Sequence, residues 1–545
     1  MQDGRGLTNR AVRPVIEKWT MMNYTDRHAW PADVSFDGGT LDCGSGLLLL
    51  IRKHIDPMQA GELLEIKSQE SSVEEDLPAW CRMTKNELLS CVRQGDEWSF
   101  LLSKGPFAGA PGQNPPAENA DAARNAAKIG GPRIAMPLPR TPQPVLIPDL
   151  LPQVAPAPAI RPLSVMGIGS WPRPRWLLTA IHEHVAGRCT ESAFQETADD
   201  AVRLCVAAQE RAGVDVVTDG EQRRDSYASF VGGILDNCQL IPVTDLLPYV
   251  DDPAEFEREL RALDVPAETV RHPAVFGPLG RSRALAVDAA RFVQSISRKP
   301  VKVALPGPYL LTRTMWMECI SDRAYATREA LADDIVRVLR EELFALLAAG
   351  VALVQFDEPV LTEVVFNPPR QNRTFMCGAL GAKRDPQTEL AFALQLLNRV
   401  VTDAPPERTA LHICRGNWSR DETVALAGNY APLLPYLREV AVGTLMLELC
   451  TPRAGELEVL KELPDRLRIG MGVVNPKSSD VEPDDAIRAR AERSIGLFGP
   501  QRVLLNPDCG FATFADNPVN VAEIAEQKLA AIARVAAGLR EKHGV

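Results

Sequence analysis

Two stretches of the chain nearly repeat each other: Ala212-Gly213-Val214-Asp215-Val216-Val217 and Ala349-Gly350-Val351-Ala352-Leu353-Val354. Each follows a helical pattern and passes through a glycine into an apolar strand. Glycine suits this position because a left-handed residue commonly closes the last turn of a helix. Both strands then end in acids, Asp219 and Glu221 in one, Asp357 and Glu358 in the other.

Strand-like runs of this kind recur at Ser164–Gly169, Val214–Thr218, Val301–Leu305, Val351–Phe356, Thr409–Ile413, Thr444–Leu449, Leu467–Met471 and Val503–Leu505. They mostly alternate with helical patterns. Eight such units over roughly 380 residues predict a (β/α)₈ TIM barrel, an α/β fold whose active site sits at the C-terminal ends of its strands. The stretch Arg281–Val293, with its approach from Pro273, does not fit the simple alternation and reads as an insertion.

At 545 residues the chain exceeds the usual span of one core, so more than one domain is expected. Between Pro106 and Pro162 lie 14 of its 44 prolines, mixed with alanine and glycine, a composition that builds no packed core. The predicted order is therefore an N-terminal extension at 1–32, a small two-layer α/β sandwich domain at 33–105, a Pro/Ala-rich linker at 106–161 and the barrel at 162–545. Val145–Leu151 has enough apolar character to dock on a neighbouring domain. Within the small domain, Leu47–Lys53 and Leu77–Val92 read as helices, and Gly61–Ile66 and Trp98–Leu102 as strands.

A net charge of -11 disfavours nucleic acid or an anionic membrane surface as partner. The longest apolar run, Leu47–Ile51, is far too short to span a bilayer, and no signal peptide is evident at the start. A cytoplasmic protein acting on small molecules is expected. In that reducing setting, eleven cysteines at irregular spacing are ligands, reactive thiols or core residues, not a disulfide scaffold.

Four metal-binding side chains end successive strands of the predicted barrel: His412 and Cys414, Glu448, and Cys509. Residues two apart on a strand share a face, which groups His412 with Cys414 and Glu448 with Cys450. Cys509 follows its strand through the turn-forming Asn506-Pro507-Asp508. Imidazole, thiolate and carboxylate are the donors that zinc takes in tetrahedral sites, and a catalytic site keeps one position exchangeable. Such an electron-rich site suits the activation of a thiol. Cys450 is a weaker alternative ligand.

These residues resemble the C-terminal catalytic barrel of cobalamin-independent methionine synthase. The resemblance runs in order through Gly167-Ile168-Gly169-Ser170-Trp171-Pro172, Asp219-Gly220-Glu221-Gln222-Arg223-Arg224-Asp225, Gln355-Phe356-Asp357-Glu358-Pro359, His412-Ile413-Cys414-Arg415-Gly416-Asn417 and Asn506-Pro507-Asp508-Cys509-Gly510. It implies that Ile168, Gly169 and Ser170 receive the carboxylate of homocysteine, that Glu221 and Asp357 hold its ammonium, and that Zn2+ binds the four ligands. The implied reaction is methylation of a homocysteine-like thiol held as a zinc thiolate. Two departures stand out. Lys477 lies in the segment where the family has a histidine proposed as proton donor. Arg271-His272-Pro273-Ala274-Val275-Phe276-Gly277 stands where a folate-contacting Arg-Cys segment is expected, and the offset of Trp316 does not match the family tryptophan. The methyl donor therefore stays open among folate, corrinoid and other compounds.

Leu41-Asp42-Cys43, the helix after it and Gly61-Glu62-Leu63-Leu64 resemble sulfur carriers of the TusA type. In that family the cysteine at the helix start carries a persulfide, supplied by a cysteine-desulfurase-type donor, and a helix N-terminus favours the thiolate. Here Cys43-Gly44-Ser45-Gly46 replaces the usual Cys-Pro-x-Pro. Cys81 and Cys91 read as packing residues. Three functions follow: a zinc-dependent S-methyltransferase, a thiol-forming sulfur transferase fed by Cys43, or a sulfur-carrier or binding protein with a silent barrel. A uroporphyrinogen-decarboxylase-like barrel would share the fold but needs no such ligand set.

Overall fold

The computed structural model describes residues 27–39, 41, 47–70, 73–84, 86–94, 97–105, 107, 142, 144–185, 188–242, 271–321, 324–366, 385–417 and 419–545. The chain divides into two compact units, Met1–Pro132 and Arg133–Val545.

The first unit holds strands β1 (Val34–Asp37), β2 (Leu63–Ser68), β3 (Glu87–Gln94) and β4 (Glu97–Ser103), with helices Leu48–Ile55 and Val73–Thr84. The sheet order is β1-β2-β4-β3; β1 and β2 are parallel and the other pairs antiparallel. Leu47, Ile51 and Ile55 recur every four residues and form one buried helical stripe. Against it pack the alternate residues Leu64 and Ile66 of β2 and Trp98, Phe100 and Leu102 of β4.

One sequence expectation fails here. The helix predicted across Leu77–Val92 stops at Thr84, and Glu87–Gln94 is β3. Thr84 Oγ1 turns back onto the Trp80 carbonyl, and the Asn86 amide closes on the Cys81 carbonyl. Beyond that point the ladder with β4, Cys91 opposite Phe100, outweighs the local helical pattern. Cys81 and Cys91 both lie in the core, one on the helix and one on the strand. Cys43 falls outside the described residues.

The second unit is a closed parallel barrel. Strands β7 (Lys302–Pro306), β8 (Leu353–Asp357), β9 (Thr409–Ile413), β10 (Thr444–Leu447), β11 (Arg468–Val474) and β12 (Val503–Pro507) pair side by side in sequence order. Parallel bridges Val165 to Leu505, Met166 to Val216 and Val217 to Val301 add the two remaining staves and close the ring. Met166, Ile168, Val216, Leu353, Ala410, Met446 and Leu504 fill its interior. Gly213 and Gly350 have φ of 80° and 79°, the left-handed conformation that the near-repeat predicts after a helix.

The segment read as an insertion separates into two parts. A hairpin of β5 (Asp236–Pro242) and β6 (Arg271–Gly280) is the added element, following the second stave. Val287–Ile296 is the ordinary barrel helix leading to β7, burying Val287, Ala290 and Val293 on one face.

Residues 144–161 run extended against this unit. The Ala155 amide donates to the Leu347 carbonyl, and Arg408 Nη1 donates to the Ala155 carbonyl at 2.5 Å. Val145 lies against Gly280, whereas Leu146 and Leu150 remain 78% and 85% exposed. No described helix is long and apolar enough to cross a membrane.

Candidate metal centre

His412 is the fourth residue of β9, and Cys414 lies one residue past that strand; Cys509 lies two past β12. Parallel staves bring these exits to one end of the barrel. Single ligand atoms of His412, Cys414 and Cys509 all fall within 4.8 Å of one another, and all three residues are buried. Neither ring nitrogen of His412 has a hydrogen-bond partner. A buried imidazole so placed is costly unless something else takes its lone pair. Burial, with Lys302 as the lesser cause, pushes His412 down to about 3, so the ring is neutral and able to ligate. The Cys509 thiol is pushed up by its hydrogen bond with Cys414, by burial and by nearby negative charge. A divalent cation reverses that balance, because it favours both thiolates. The donor set fits zinc.

Glu448 is buried one residue past β10 but stands outside the three-residue cluster. Its Oε2 accepts from the Arg415 amide at 3.0 Å, and its Oε1 from Arg453 Nε at 2.9 Å. Cys450 is also outside the cluster, its thiol pushed up chiefly by burial.

A small pocket opens beside the cluster. Its walls include Ile168, Ser170, Glu221 and Asp357 together with His412, Cys414 and Cys509, so residues from separate staves converge on one space. Tyr227, Pro359, Gly510 and Thr513 complete the lining. The Glu221 backbone is left-handed, φ 55°, which is uncommon for a residue with a side chain and marks a locally strained turn. Glu221 Oε2 has no partner, and burial raises this carboxyl while Arg224 and Arg173 oppose the rise. Burial and the Glu221 charge push Asp357 up to about 7.

Gly169 is fitted to this arrangement. A Cβ there would overlap Glu221 Oε1. Gly169→Ala is therefore expected to displace the Glu221 side chain and, if the pocket takes homocysteine as the sequence resemblance implies, to weaken that ligand about tenfold with little change in any metal content. Isothermal titration with parallel metal analysis checks it, and wild-type affinity would remove the constraint.

Lys477 is buried after β11, where its Nζ donates to the Asp421 carbonyl at 3.2 Å. It is not among the described residues lining the pocket. Trp316, at the end of helix Pro308–Met315, is not among them either.

Sequence reasoning missed two groups. Asp508 is buried, and its Oδ1 accepts from the amides of Leu449 and Cys450 at 2.9 Å each, fastening the loop after β10 to the end of β12. A side chain at Gly472 would overlap that same oxygen. In the sequence Asp508 looks like an ordinary turn aspartate. Lys302 and Gln355 lie inside the barrel beneath the pocket, both fully buried. Burial pushes Lys302 down to about 7 against the pull of Asp357 and Glu221. A lysine in an otherwise apolar strand was the available signal.

Residues 163–244 and 260–531 match the model of the cobalamin-independent synthase catalytic domain. The chain belongs to the cobalamin-independent methionine synthase family. It carries the family's catalytic domain and is an enzyme of the methyltransferase class. Residues 46–104 match the sulfurtransferase TusA model, a match that begins three residues after Cys43. The methionine synthase of Sulfurisphaera tokodaii is 26% identical over 344 residues, covering 63% of this chain and 84% of that protein. That of Saccharolobus solfataricus is 25% identical over 376 residues, covering 69% and 94%. Among solved structures, the B12-independent methionine synthase from Shewanella sp. W3-18-1, in complex with selenomethionine, superposes with a TM-score of 0.53 at 20% identity, covering 70% of this chain and 98% of that one. At that identity the likeness establishes the shared barrel.

Proposed function

We propose that this synthase-family barrel is a zinc-dependent S-methyltransferase that methylates homocysteine or a closely similar amino-acid thiol. The observation that carries the reading is the single pocket in which two buried carboxylates, Glu221 and Asp357, face the same space as His412, Cys414 and Cys509. His412, Cys414 and Cys509 would hold zinc, with Glu448 as the fourth protein donor once its carboxylate leaves Arg453. Zinc, when bound, supplies the Lewis acidity that lowers a thiol's pKa from about 8.5 and keeps its sulfur nucleophilic.

The chain's own groups orient that sulfur. Glu221 and Asp357 take the substrate ammonium, and the amides and hydroxyl of Ile168–Ser170 take its carboxylate through charge-assisted hydrogen bonds. The substrate sulfur then attacks the donor's methyl carbon, and the donor departs with the bonding pair. Lys477, once it leaves the Asp421 carbonyl and moves to the pocket it does not line, is the proposed source of a proton for that leaving group. The test is methyl transfer by zinc-loaded protein to homocysteine from folate, corrinoid and methylthiol donors in turn. Transfer from one of them is expected; transfer from none overturns the reading.

The TusA match on the same chain favours a second reading, in which Cys43 persulfide delivers sulfur to the barrel. A tether holds linked groups at high effective concentration when it can span them. Cys43→Ala separates the two: methyltransfer at the wild-type rate is expected on the first reading, whereas loss of a sulfur-dependent product supports the second.

A further inference from the structure

Two sides of the pocket meet at one buried cation. Lys302, the first residue of β7, has no exposed surface, and its Nζ donates to the Gly167 carbonyl at 2.5 Å and to Gln355 Oε1 at 2.8 Å. Gln355, on the neighbouring β8, uses its Nε2 to donate to Asp357 Oδ1 at 2.7 Å and to the Ile168 carbonyl at 3.1 Å.

The direction of these bonds is dictated. An ammonium only donates, so the amide of Gln355 must turn its oxygen toward Lys302. Its nitrogen is thereby aimed at Asp357, a carboxylate that only accepts when ionised. Lys302 thus decides the orientation of an amide that could otherwise flip, and through it the position of Asp357 Oδ1. The same ammonium ties down Gly167, and Gln355 ties down Ile168, the backbone that leads directly into Gly169 and Ser170.

We propose that Lys302 is a positioning residue for amino-acid recognition, which through Gln355 holds the ammonium-binding Asp357 and the carboxylate-binding Ile168–Ser170 segment in one fixed relation. This rests on the reading of the pocket as an amino-acid thiol site. Lys302 is not among the described residues lining the pocket, and its hydrogen bonds run to the amino-acid end of it.

The experiment uses the full chain loaded with cobalt(II) in place of zinc, with thiolate-to-cobalt absorption reporting sulfur binding. Homocysteine is compared with propane-1-thiol, which lacks both the amino and the carboxylate group. Lys302→Met is expected to weaken homocysteine about 30-fold and the amine-free thiol less than about 3-fold, the effect of one charge-assisted hydrogen bond at the ammonium end. Gln355→Met, which leaves Lys302 in place, is expected to give the same selectivity at about 10-fold and keeps the test available should Lys302→Met not fold. Equal losses for both thiols, or wild-type homocysteine affinity in either folded variant, overturns the role of Lys302. Absence of the absorption with wild-type protein and both thiols overturns the thiol-site reading itself, and this inference with it.

Discussion

Cys509→Ser is expected to lose the metal and nearly all methyl transfer. Removing an outer partner of a metal ligand already costs roughly 10- to 100-fold in affinity or activity. Removing a thiolate costs more, because a serine hydroxyl stays protonated near neutral pH and is a poor zinc donor. Cys509 also interacts directly with Cys414 and lies beside His412, so its loss leaves only two of the three clustered side chains, Cys414 and a His412 ring whose nitrogens have no hydrogen-bond partner. After dialysis against zinc-free buffer without chelator, elemental analysis should find about one zinc per chain in the wild type and far less in the variant. Cys205→Ser is the control, since Cys205 is buried elsewhere, against Gly220 and Gln209. Retention of zinc by Cys509→Ser would sink the site. Chelated wild-type protein should recover activity when zinc is returned, which ties the loss to the metal.

Glu221→Gln is expected to raise the KM for homocysteine by about 30- to 100-fold, which corresponds to a charge-assisted hydrogen bond of about 2–3 kcal/mol. Glu221 is buried with Oε2 unpartnered, and Asp357 alone would then face the ammonium. An amide of the same size keeps the pocket's shape but offers half its acceptor capacity and no charge. The melting temperature should not fall, because an ionised buried carboxylate destabilises the empty protein. Steady-state kinetics with homocysteine and with an amine-free thiol decide the matter. A change in kcat with KM unmoved would assign Glu221 to the chemistry and not to binding.

Much of the molecule was readable in order. Gly213 and Gly350 announced helix ends, and the apolar runs after them located the staves, because these are local signals of conformation and burial. The errors arose where local pattern and distant pairing disagree. Glu87–Gln94 continues a helical pattern yet becomes a strand because β4 supplies its ladder. Val287–Ile296 was merged with the hairpin before it for want of a partner to distinguish them.

For the centre itself, sequence alone determined which residue types stand at the strand ends: His412, Cys414, Glu448 and Cys509, with Glu221 and Asp357 among the acids. Chain order and a parallel barrel suffice for that, since strand exits all point one way. Only the tertiary structure decided that three of the four candidate ligands close within 4.8 Å while Glu448 is engaged by Arg453 and the Arg415 amide. It alone decided that Lys302 and Gln355 join the two sides of the pocket beneath it. The physical reason is that periodicity reports which face a side chain takes, whereas the partner of a buried polar group is set by whatever distant segment the fold brings within about 3 Å.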